Sequence, residues 1–292
     1  MTEFHGLPTA NIENEHVRLE YFTSAGPRIV GLSFQGSPNL LADGKDASFD
    51  SPYGKFFFHG GHRLWASPES AKKTYIPDNT GLVVSQVPGG VELSGATEPG
   101  SGIHKSMRVE LVAGRAAVRL THSIVNENSE PVTLAPWAIT MFRQGGTVIL
   151  PQPTGNSDPD GFLSNRLLVI WPYTHINDAR IELRDDFTMI HAQPALPPLK
   201  IGYANQAGWL AYWVGGILFR KSFELHAGAS LPDNGCNTEV YCNDQMVELE
   251  TLGVLGELAP GKSVTHTESW ELFAGLDAPF VSAELRELLS RV

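Results

Sequence analysis

Along most of the chain, apolar and polar residues alternate with a period of two. In HVRLEYF, Val17, Leu19 and Tyr21 fall on one side while Arg18 and Glu20 fall on the other. A strand with one buried face has this pattern. The same period recurs in RIVGLSF from Arg28, and in MRVEL and AAVRLTHSIVNE between Met107 and Glu127. It returns in WLAYWV from Trp209, ILFRKSFEL from Ile217, MVELETL from Met246 and THTESWELF from Thr265. Turn formers separate the runs: Ala-Gly at 113–114, Asn-Ser-Glu-Pro at 128–131, Gly-Gly at 145–146 and 215–216, and Ala-Pro-Gly at 259–261. Only the tail, APFVSAELRELLSRV, has helical spacing, with Phe280, Leu285, Leu288 and Leu289 on one face. The pattern predicts a mostly β protein: antiparallel strands whose buried faces pack as a sandwich, with a short C-terminal helix.

No fixed-period repeat is present, which argues against a propeller or a solenoid. Strands recur from beginning to end and no stretch has the composition of a linker, so a single domain over 1–292 is expected. Two irregular stretches, PQPTGNSDPDGFLSN from Pro151 and HAQPALPPLK from His191, read as long loops between strands, and such loops tend to carry function.

Composition narrows the class. Hydrophobic residues make up 42%, enough for a sizeable core, and 29 Gly with 20 Pro favour many turns over long helices. Charged residues at 18% argue against disorder and against a long coiled coil. The formal charge of −11 disfavours nucleic acid and anionic membrane surfaces as partners. Cys236 and Cys242 are too few for a disulfide scaffold and lack a zinc pattern, so two reduced thiols are expected. The opening MTEFHGLPTANIENEHVRLEY has no basic start followed by an apolar run, and no stretch approaches a membrane span of about 20 apolar residues. A cytoplasmic location is expected.

Three segments could carry chemistry. In FFFHGGHRLWASPE, residues 56–69, a Gly-Gly pair sits among His59, His62, Arg63 and Trp65. An aromatic face beside hydrogen-bonding side chains suits a sugar, whose C–H face stacks and whose hydroxyls need directional partners. In YCNDQMVELETLG, a strand places Glu248 and Glu250 on one face with Leu249 on the reverse. Paired carboxylates repel, which raises one pKa and prepares a general base. In PVTLAPWAITMFRQGG, Trp137 reads as a pocket wall, with Arg143 just before the turn. Among the remaining histidines, His175 stands out because Trp171, Tyr173 and Asp178 are close in sequence.

Other chemistries lack their signatures. There is no Walker loop, Rossmann fingerprint, His-Glu-x-x-His helix or Gly-x-Ser-x-Gly elbow. His59 and His62 with Glu224 or His226 form no diagnostic metal spacing. Neither a cofactor nor a metal is expected.

The ordered set of segments resembles the galactose mutarotase-like superfamily, the aldose 1-epimerases and their relatives, over nearly the whole length. NEHVRLEYFTSAGPRIVGLSFQGSPNLL looks like that family's opening, and Phe58-His59-Gly60-Gly61 is similar to its His-Gly-Gly element. NENSEPVTLAPW resembles the Pro-Val-x-Leu-Thr-Asn-His segment, and VELETLGVLGELAPGKSVTHTESWEL resembles the closing Phe-Glu-Thr strand, Leu-x-Pro-Gly turn and final strand. Trp137 stands where an aldose 1-epimerase has its principal acid histidine, and GGHRLW looks like a branch apart from the typical sugar mutarotases. The resemblance implies a β-supersandwich with a carbohydrate-sized cleft on one sheet. It also implies an isomerase that interconverts sugar anomers, with Glu250 as base and His59 or His62 as acid. Arg63, Trp65, Trp137, Arg143, His175 and Glu248 would contact the small-molecule carbohydrate. The alternative is a carbohydrate-binding or sensing protein without turnover, because Trp137 replaces the acid. A third reading, a glycoside hydrolase, needs a second carboxylate facing Glu250, for which Asp158, Asp160 and Asp244 are candidates.

Overall fold

The computed structural model of the protein describes residues 2–275 together with Ala283, Leu285 and Glu287. The alternating runs form two large antiparallel sheets of eleven and ten strands, with a separate two-stranded hairpin of Ser48–Ser51 and Gly54–Phe57. Strand bounds match the apolar alternation closely: Arg28–Phe34, Trp209–Val214 and Met246–Leu252 are strands end to end.

The two sheets pack face to face over one continuous apolar core. Val17, Leu19, Leu32, Val247 and Leu249 of the eleven-stranded sheet meet Val91, Met107, Leu120, Phe219 and Trp270 of the ten-stranded sheet. Each strand sends every second side chain into this layer, so the sandwich follows from the two-residue period. Ala283, Leu285 and Glu287 are helical, and Leu285 is buried against Ile149, Phe187 and Leu218 of the ten-stranded sheet. Phe280, Leu288 and Leu289, the other members of the expected helical face, lie outside the described residues.

The middle of the eleven-stranded sheet carries the site. Its strands run side by side in the order His62–Ser67, Val132–Arg143, Met246–Leu252, Thr238–Cys242 and Leu199–Tyr203. The last of these corrects the sequence reading. HAQPALPPLK is a loop only from Ala192 to Pro198, since His191 ends one strand and Leu199 and Lys200 begin another. Both cysteines are buried and unbridged. Among the described residues, no helix is long and apolar enough to cross a membrane.

Candidate functional site in an aromatic hollow

The outer face of the eleven-stranded sheet is not flat. The hairpin Ser48–Phe57 and the loops after Ser67 and before Leu199 rise around it and enclose a hollow of about 550 Å³. That volume lies within the range of small-ligand pockets. Alternation fixes which residues reach it. From the three central strands, Arg63 and Trp65, Trp137, and Met246 and Glu248 line the hollow, while their chain neighbours Leu64, Ala138 and Val247 point into the protein interior. Cross-strand pairing sets Trp137 beside Trp65 and Leu252.

Aromatic rings form most of the wall. Trp65 and Trp137 meet edge to face at 5.3 Å, and Tyr75 stands 5.1 Å from Trp65. Phe58, Trp171, Tyr173 and Tyr241 complete the lining. Polar groups are fixed between them. Arg63, 2% exposed, donates from Nη2 to Glu248 Oε1 at 2.9 Å. Its Nε and Nη1 have no hydrogen-bond acceptor; instead the guanidinium lies 4.1 Å over Trp65 and 5.3 Å over Phe58, so ring faces balance its charge. Burial raises the Glu248 carboxyl above the usual range, although Arg63 opposes the shift. Tyr75 donates its hydroxyl to Glu69 at the rim.

Below Trp137 lies a buried trio of charges. Lys200 Nζ sits 2.7 Å from Glu239 Oε2 and 2.9 Å from Glu250 Oε2, and Trp137 Nε1 donates to Glu250 Oε2 at 2.7 Å. Glu239 and Glu250 are direct cross-strand partners. Gly202 is the partner of Glu239 on its other side. A Cβ there would stand 2.9 Å from Glu239 Cγ, so the glycine leaves room for that carboxylate. Two carboxylates share one ammonium, and burial, reinforced by the charge of Glu250, pushes Glu239 up to about 9. Glu239 therefore holds its proton at neutral pH. Lys200 stays charged despite burial, because Glu250 and Glu239 raise its pKa.

The sequence-derived candidates separate by the face they occupy. Arg63, Trp65, Trp137 and Glu248 line the hollow together. Glu250 is on the same sheet face but is completely buried, with Lys200 and Trp137 bonded to it. His62 does not join them. It is adjacent to Arg63 in a strand and so points to the opposite face, where Nδ1 meets Thr140 Oγ1 and Nε2 meets His122 Nε2, each at 2.8 Å. His59 is not part of the lining either. It packs edge-on against Phe22 at 5.2 Å, and burial with the nearby Arg28 lowers its pKa to about 4. His175 is exposed and borders a different depression with Asp178 and Arg180. Arg143 lies in a chamber that adjoins the hollow. Asp158 hydrogen-bonds within its own exposed loop, accepting from Phe162 and Leu163. The carboxylate that faces Glu250 is Glu239.

The metal grouping weighed from sequence also comes apart, since His62 is buried whereas Glu224 and His226 are exposed. Among the described residues, His62, His122 and Glu268 do bring ligand atoms within 4.8 Å of one another between the sheets. The carboxylate of Glu268 is already engaged by Lys221 at 3.0 Å, by Thr251 and by Trp270, so the set works as a hydrogen-bonded core network.

No protein-family model matches the chain. No curated protein matches it. Solved structures do match. A TPR-domain containing protein from Parabacteroides distasonis superposes with a TM-score of 0.63 at 12% identity, over 95% of this chain and 49% of that one. This chain thus spans about half the length of that protein. A proposed aldose 1-epimerase from Escherichia coli K12 gives a TM-score of 0.58 at 14% identity, over 92% of this chain and all (100%) of the other. A galactose mutarotase-like protein from Lactobacillus casei gives 0.58 at 10% identity, over 91% of this chain and 100% of the other. The superposition shows that the chain shares the fold of the galactose mutarotase-like structures.

Proposed function

We propose that the protein binds a carbohydrate in the hollow on its eleven-stranded sheet. The observation that carries this reading is the wall itself. Trp65, Trp137, Trp171, Tyr75, Tyr173 and Tyr241 surround a space of about 550 Å³ into which Arg63, Lys200 and Glu248 also reach. Aromatic faces stack on the C–H surface of a sugar, and a few oriented polar groups read its hydroxyls. Similarity to the aldose 1-epimerase-like and galactose mutarotase-like structures supports the same ligand class.

Turnover is a second reading, favoured by the raised pKa of Glu248 at the wall. Anomer interconversion needs a base for the anomeric hydroxyl and an acid for the ring oxygen, each contributing about 10²–10⁴-fold. Glu248 is the carboxyl placed to exchange a proton there. The acid role falls to neither His59 nor His62, because neither lines the hollow.

Calorimetric titration with a panel of aldoses, paired with exchange spectroscopy of the two anomers, tests both. Saturable binding that Trp137→Ala weakens at least tenfold supports the carbohydrate site; no binding by any sugar overturns it. Interconversion faster than buffer, and reduced at least a hundredfold by Glu248→Gln, adds turnover. A rate equal to buffer removes turnover and leaves binding alone.

A further inference from the structure

The hollow is the middle of a longer trough. Asp46, Gln245 and Met246 line it and also line a chamber of about 490 Å³ that reaches Arg143. Trp137, Trp171 and Lys200 line it and also line a chamber of about 470 Å³ that reaches Asp233. Register gives the direction. Met246 pairs with Arg143 and Glu248 with Met141, while Ser67, which donates to Asp233, pairs with Ala135. The three chambers therefore follow the Val132–Arg143 strand, from Arg143 at one end to the level of Ala135 at the other. Eight residue steps at about 3.3 Å each make the trough about 26 Å long. One pyranose ring occupies a small part of that length.

Resting on the carbohydrate reading, we infer that the trough holds a neutral, linear oligosaccharide of at least three sugar units, with its middle unit against the wall that Trp65 and Trp137 form and its ends toward Arg143 and Asp233. Neutrality follows from the charges already in place. Arg63 is matched by Glu248, and Lys200 by Glu250, with the protonated Glu239 beside them. A polyanionic chain would meet Asp46 and Glu69, which also line the hollow, and the end chamber that adds Lys45 and Arg143 adds Asp43 as well. The aromatic wall supplies stacking that a neutral chain can use along its length.

Titration calorimetry with malto-, cello-, xylo- and chito-oligosaccharides of one to six units tests the inference on the full chain. In at least one series the affinity is expected to rise tenfold or more from monosaccharide to trisaccharide. Arg143→Ala and Asp233→Ala, at opposite ends of the trough, are each expected to weaken trisaccharide binding at least threefold. Circular dichroism of each variant checks that it is folded. If every series that binds does so with the same affinity at one and three units, the long-ligand inference is overturned and the carbohydrate site stands. Failure of every series, monosaccharides included, overturns both.

Discussion

The Lys200 ammonium holds together two carboxylates that would otherwise face each other across adjacent strands. Its removal is therefore costly in a specific way. Lys200→Met leaves the Glu250 carboxylate buried beside the protonated Glu239 without a counter-charge, and breaking a buried pair in this manner costs about 3–5 kcal/mol. Urea denaturation should show that loss, and the double variant Lys200→Met/Glu250→Gln should recover part of it by removing the unmatched carboxylate. A double variant no more stable than the single one would mean that the loss does not come from an unmatched charge on Glu250. The trio was not legible in the sequence, although Glu248, Glu250, Arg63 and Trp137 were. Lys200 closes a proline-rich stretch that reads as loop, and Glu239 sits in a five-residue strand buried on both faces, where no alternation signals its direction. His62 misled for the opposite reason. Its neighbourhood looks like a glycine turn, yet the strand begins at His62 itself, so His62 and Arg63 point to opposite faces.

At the level of elements, the long half-buried strands were readable because one face of each must be apolar. The outer strands were not. Val83–Val87 has an exposed or half-exposed pattern throughout, so burial imposes no period on it. What sets the path of the chain into the site is the turn His59-Gly60-Gly61, with φ of 53°, 69° and 69°. At Gly61 a Cβ would lie 1.9 Å from the Ile29 carbonyl oxygen, and its own carbonyl accepts from the Met141 amide at 2.8 Å. Gly61→Ala combines left-handed strain with a backbone clash and should destabilise by at least about 2 kcal/mol. Gly114→Ala is the control, since its φ is 67° but nothing lies within 4 Å of its added Cβ. It should cost only the strain, about 1 kcal/mol. Equal midpoints for the two variants in thermal or urea melts would contradict the close-approach argument.

For the molecule as a whole, the titrating groups buried in and beside the sheets set opposing limits on stability. His62, His122 and His266 lie between the sheets, and burial lowers all three, His266 to about 3. His59 falls to about 4 for the same reason, with Arg28 adding to the shift. Unfolding returns these groups to about 6.5, so below that pH the unfolded state binds more protons than the folded one. Their contribution is complete above about 6.5 and is lost as pH falls, at up to about 1.4 kcal/mol per pH unit for each histidine, down to about 4 for His59 and about 3 for His266. Glu239 works in the other direction. Its folded pKa near 9 lies above the ordinary glutamate value of 4.5, so the stability it contributes is complete below 4.5 and declines as pH rises toward 9. Four histidines outweigh one carboxyl on the acid side, which places the maximum of stability near pH 7, above the sequence pI of about 5.3. Urea unfolding at pH 5, 6, 7 and 8 should give a dome with a steep acid limb of roughly 3 kcal/mol per pH unit or more, equivalent to at least two protons. Glu239→Gln, which mimics the protonated carboxyl, should flatten the limb above pH 7 while leaving the acid limb in place. A limb above pH 7 as steep in the variant as in the wild type would show that Glu239 is ionised in the folded protein, and with it the charge balance assigned to the floor of the hollow would fall.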